Sequence, residues 1–118
     1  MPVRKFVSEK MAEILSAISH PDRFRLIEEL SGGEKDVHEI GVILKIPQPT
    51  VSQHLSVLRS QRLVLSRKEG RRVIYTLKQP WVAKWLLEGL KLLEGDTSLS
   101  SEIITATKRA RKLWEIKN

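Results

Sequence analysis

Residues 45–78 read KIPQPTVSQHLSVLRSQRLVLSRKEGRRVIYTLK, and the spacing of their apolar residues decides the fold. Pro47 stops whatever precedes it. Pro49, with Gln48 before it, suits the first turn of a new helix, where the early N–H groups have no intrahelical partner. From there Val51, Leu55 and Leu58 recur at helical spacing, which turns one narrow apolar stripe toward a core. The opposite face shows Thr50, Ser52, Gln53, Ser56 and Arg59. These are short or flat side chains with donors and acceptors, the types that match base edges in a major groove, Gln toward adenine and Arg toward guanine. A merely solvated helix would carry more Glu and Lys. His54 lies on the border between the two faces, where a phosphate or a neighbouring helix suits it better than a base.

After Leu63 the period changes to two, with Val73, Tyr75 and Leu77 on one face and Arg72, Ile74 and Thr76 on the other. Glu69-Gly70 marks a hairpin tip, since Gly supplies the positive φ such turns need. Arg67, Lys68, Arg71 and Arg72 crowd that tip, within reach of phosphates or a minor groove. The window 45–78 carries eight Lys or Arg and one Glu, while the rest of the chain carries thirteen of each sign. The whole net charge of +7 therefore lies in this window, the footprint of a nucleic-acid-binding module.

Upstream, Met11, Ile14, Leu15 and Ile18 form one helical stripe, and Phe24, Leu26, Ile27 and Leu30 form a second that begins near Pro21 and ends at Gly32-Gly33. Asp36 with Glu39 resembles a capping box, after which Ile40, Ile43 and Leu44 are expected to face inward. A short helix, a tight turn at Lys45-Ile46-Pro47 and a polar-faced second helix make a helix-turn-helix. The expected fold is mainly α with a small β-hairpin: a winged helix-turn-helix of five to six helices plus the wing.

The run from Ser16 to Leu77 resembles the ArsR/SmtB family of small bacterial and archaeal repressors. Its markers are His20-Pro21-Asp22-Arg23-Phe24-Arg25, the helix from Gln48 to Arg59, and the wing from Arg67 to Leu77. The resemblance implies a homodimeric repressor on a pseudo-palindromic operator, released by an inducer that is often a metal ion. It also implies that the helix after the wing, with the first helix, forms the dimer interface.

The residues agree with that. From Trp81 to Leu93 the chain reads as one helix, and Trp81, Trp85, Leu86, Leu90 and Leu93, with further apolar neighbours, cover more than a single core requires. The same helix of a partner is the simplest cover, and the resemblance adds Met11 and Leu15 of the first helix to that interface. Residues 1–95 are expected to form the DNA-binding and dimerisation domain. The stretch from Gly95 to Ser101 breaks the helices, and residues 96–118 form a helical extension that either lengthens the interface or packs on its own subunit. Its apolar residues include Ile103, Ala106, Ala110, Leu113 and Trp114.

The family's best-known metal site uses a CxC pair at the start of the third helix. This chain has Asp36-Val37-His38 there and no cysteine. Thiolate sensing is excluded. An Asp36-His38 pair helped by His20 remains open as a borderline-metal site, beside the plainer reading of Asp36 as a helix cap and His38 as an exposed first-turn residue. No cofactor is expected, and no inducer is identified by the sequence.

No disulfide is available, and the N-terminus has no apolar h-region, so neither a signal peptide nor a membrane span is expected, and the location expected is cytoplasmic. No nucleophile elbow, HExxH or phosphate-cradling loop occurs, which points away from an enzyme. The reading is a sequence-specific regulator of double-stranded DNA. The alternatives are a metal-responsive sensor, a winged helix used for protein association, and a nonspecific nucleic-acid-binding protein.

Overall fold

The computed structural model describes residues 2–96 and 98–117, with side chains described as far as residue 112. The chain divides into two compact units, Met1–Gln79 and Pro80–Asn118. The boundary expected at 95/96 falls inside the second unit.

The first unit runs α1 (Val3–Ile18), α2 (Pro21–Leu30), β1 (Lys35–Asp36), α3 (Val37–Leu44), α4 (Gln48–Ser60), β2 (Val64–Glu69) and β3 (Arg72–Leu77). Its core gathers one stripe from each helix. Leu26 and Ile27 on α2, Ile40 on α3, Val51, Leu55 and Leu58 on α4, and Val64 on β2 are all essentially inaccessible to solvent. The helix ends follow the sequence signals. His20 caps α2, its Nδ1 accepting the Asp22 N–H at 3.0 Å. Asp36 and Glu39 form the capping box of α3. Between α3 and α4 the chain turns at Lys45, which is left-handed at φ 58°. Gly41 makes the turn close, because a Cβ there would stand 3.0 Å from the Ile46 carbonyl oxygen.

Three expectations for this first unit need correction. Ile43 is 46% exposed, so α3 turns only Ile40 and Leu44 inward with Val37. The wing is not a lone hairpin: β1 joins it in a three-stranded sheet of order β1-β3-β2, with Lys35 opposite Tyr75 and Asp36 opposite Ile74. Because β3 is central, its outer face is partly covered too, and Ile74 is buried along with Tyr75 and Leu77. The tip itself is as expected, Glu69 pairing with Arg72 around Gly70 at φ 63°.

The second unit holds α5 (Trp81–Glu88), α6 (Lys91–Glu94) and α7 (Ser101–Lys117). The single helix expected over Trp81 to Leu93 is broken at Gly89-Leu90. There the bonds tighten to Leu90 N–H onto Leu87 O and Leu92 N–H onto Gly89 O, three residues apart, at a residue with poor helix propensity. Arg111 on α7 grips Glu94 on α6 through a two-pronged pair at 2.7–3.0 Å. The expectations for Thr97 and for the side chains of Leu113 and Trp114 lie outside the described residues.

Candidate nucleic-acid interface

α4 is seated by Val51, Leu55 and Leu58, and that seating sets which side chains point away. Gln48, Gln53, Ser56 and Arg59 are exposed, whereas Thr50 and Ser52 are half-buried. Arg59 leans toward the wing and donates to the Ser66 hydroxyl at 3.2 Å. A cleft of about 180 Å³ separates the start of α4 from the wing. Gln48, Ser52, Arg71, Arg72, Asp36 and His38 are among its lining residues. The polar face of α4 and the basic strand-turn are thus brought to one surface.

The four wing cations are not equivalent. Lys68 and Arg71 are exposed and make no polar contact among the described residues. Arg72 donates from Nε to Asp36 Oδ2 at 2.8 Å and from Nη2 to Glu39 Oε1 at 3.1 Å. Arg67 is forked onto Glu34, one arm at 2.8 Å, and also reaches Glu69 Oε2 at 3.1 Å. The sequence pattern shows the cluster and Glu69 but not Glu34, Asp36 and Glu39, which lie more than thirty residues upstream and arrive through the pairing of β1.

His54 turns toward α2. Arg23 Nη1 lies 3.2 Å from its Nδ1, its ring centroid is 4.4 Å from that of His20, and its Nε2 lies 3.7 Å from Asp22 Oδ2. Burial lowers the His54 pKa, and the neighbouring His20 and Arg23 add to the effect against Asp22. The ring is therefore neutral near neutral pH, and Arg23 donates into the Nδ1 lone pair. His54 fastens α4 to α2 instead of extending from it.

Two groups of side chains of metal-ligand type stand in this unit, and both already make hydrogen bonds. Asp36 already spends both oxygens, Oδ1 on the Glu39 N–H at 2.8 Å and Oδ2 on Arg72. Those bonds, the Glu39 N–H first, hold its carboxyl below the usual range. The donor atoms of His20, Asp22 and His54 do lie within 4.8 Å of one another. Both imidazoles already carry a hydrogen bond at Nδ1, His20 from the Asp22 N–H and His54 from Arg23. Calorimetric titration with zinc, nickel or cobalt is expected to show no tight stoichiometric site. One that disappears in His38→Ala or His54→Ala would overturn this.

Comparison with known proteins agrees with the geometry. Residues 20–66 match the family model described as bacterial regulatory protein, arsR family. The biofilm growth-associated repressor of Agrobacterium fabrum is 36% identical over 90 residues, covering 76% of each chain. The transcriptional repressor SmtB of Mycobacterium tuberculosis is 32% identical over 75% of this chain, the match spanning 66% of that protein, just under two thirds. Among solved structures, the homodimeric winged helix-turn-helix DNA-binding domain Mb0332 of Mycobacterium bovis superposes with a TM-score of 0.70 at 25% identity, covering 82% of this chain and 94% of that one. The fold is a winged helix-turn-helix. The chain belongs to the arsR family of bacterial regulatory proteins.

Proposed function

We propose that the protein is a sequence-specific transcriptional repressor that binds double-stranded DNA as a homodimer on a pseudo-palindromic operator, in the cytoplasm. The observation that carries it is the exposed row Gln53, Ser56 and Arg59 on α4, placed beside free Lys68 and Arg71 of the wing. The names of the relatives support a repressor, and among the described residues no helix is long and apolar enough to cross a membrane. Regulators as relatives, with no catalytic motif in the chain, favour a binding protein over an enzyme.

Dimerisation is supported by exposed apolar surface in each unit. Val3, Phe6, Val7, Met11 and Leu15 stand exposed along α1, and Trp81, Trp85 and Leu93 stand exposed in the second unit. Leu86 and Leu90 are half-covered. A domain described as homodimeric among the solved relatives supports the same reading.

Binding should divide between the two parts of the surface, as a footprint on the chain's own upstream region followed by titrations at several salt concentrations will show. Gln53→Ala is expected to cost about 1–3 kcal/mol on the preferred site with little loss on scrambled DNA. Arg71→Ala is expected to weaken binding to all sequences and lower the salt slope by about 0.9 for each protomer engaged. Arg72, paired with Asp36 and Glu39, is expected to act on wing stability instead. Unchanged site preference in Gln53→Ala would refute the assignment of α4 to the bases.

A further inference from the structure

Arg67 carries one of the eight charges of the basic window, yet it is occupied from two sides by carboxylates. Its fork lies on Glu34 with two parallel bonds, the geometry an arginine also uses on a phosphate. Glu34 is brought there by the sheet, since Asp36 of β1 and Arg67 of β2 both lie opposite Ile74 of β3. The contact differs from the other clamp. Asp36 keeps only 12% of its side chain exposed and also caps α3, so the carboxylate that holds Arg72 is fixed in the fold, although the Arg72 side chain itself is 56% exposed. Glu34 and Arg67 keep 51% and 50% exposed, and an exposed pair in water is weak enough to exchange.

Resting on the DNA-binding reading above, we infer that Glu34 is an internal competitor for the DNA backbone. It holds Arg67 with a carboxylate where a phosphate would otherwise lie, and so limits the part of the affinity that does not depend on sequence. Glu69 shares Arg67 but belongs to the same strand and travels with it, so Glu34 is the partner that ties the fork to the body of the fold. Deleting Arg67 alone should leave the number of phosphate contacts near that of wild type, while the carboxylates of Glu34 and Glu69 left without it weaken binding to both duplexes alike.

The test is the salt dependence of binding to a duplex from the upstream region and to a scrambled duplex of equal length. Wild type, Glu34→Gln, Arg67→Ala and the double variant are compared, with Glu102→Gln on α7 as an equal change of charge that touches no arginine of the wing. Glu34→Gln should bind both duplexes several-fold more tightly and steepen the slope by about 0.9 per protomer, as one more phosphate contact per protomer requires. The double variant should return to the wild-type slope, and Arg67→Ala and Glu102→Gln should stay near it. The inference is overturned if Glu34→Gln leaves the slope unchanged, if its gain survives without Arg67, or if Arg67→Ala alone lowers the slope by a full phosphate equivalent. Wild type that binds neither duplex would instead refute the DNA-binding reading itself.

Discussion

Truncating Leu55 to alanine is expected to remove about 2–5 kcal/mol of folding stability, the range for deleting a buried leucine side chain where the surroundings only partly collapse. Leu55 has no solvent exposure, and Val51 and Leu58 on either side of it are equally buried. Against a total of roughly 5–15 kcal/mol for a domain of this kind, that is a large fraction. In urea, where small proteins lose about 1–3 kcal/mol per molar, the midpoint should fall by roughly 0.7–5 M at fixed protein concentration. Ser56→Ala, one residue on but exposed, should stay within about 0.5 kcal/mol. The consequence for function follows from the same packing, since the stripe that anchors α4 also aims Gln53 and Arg59. A loss under about 1 kcal/mol in Leu55→Ala would mean that α4 is not seated as described.

How far the sequence carried the argument depended on the range of the interactions involved. The stripe Val51, Leu55, Leu58 and the capping box Asp36-Glu39 are local, repeating within a turn or two, and both stand where their spacing placed them. The alternation Val73, Tyr75, Leu77 located the wing for the same reason. It misjudged Ile74, because β1 is only two residues long and has no periodicity of its own to announce it. The helix break at Gly89 was masked by the leucines on both sides of it, which fit one continuous amphipathic pattern. At the interface, the basic cluster at 67–72 was legible as charge, but which charges are free was not. Arg67 and Arg72 are taken by Glu34, Asp36 and Glu39, acids brought to them by strand pairing across more than thirty residues. The acidic residues flanking Lys35 were the available signal. His54 shows the same limit, since its place at the edge of the α4 stripe says nothing of Arg23, which it meets 31 residues away in sequence.

Replacing Leu15 by Glu is expected to convert the protein to a monomer of 13.6 kDa while leaving each chain folded. Leu15 is 47% exposed within its own chain and lies on the row Val7, Met11, Leu15, so a polar residue costs the isolated protomer little. In a two-fold dimer built on that row the same change appears twice, each time placing a carboxylate where no partner charge waits. An uncompensated buried charge costs about 3–5 kcal/mol, so the pair should weaken association by at least roughly 6 kcal/mol, about four powers of ten in the dissociation constant. Circular dichroism should be nearly unchanged, and light scattering at micromolar concentration should fall from twice the chain mass to one. Operator affinity should collapse with it, because a monomer engages one half-site and loses the contacts of the other. Lys5 or Glu9, on the same helix but outside the apolar row, should tolerate alanine without change of mass. If wild type were itself a monodisperse monomer under these conditions, the apolar row would not be a dimer face, and the two-half-site operator would fall with it.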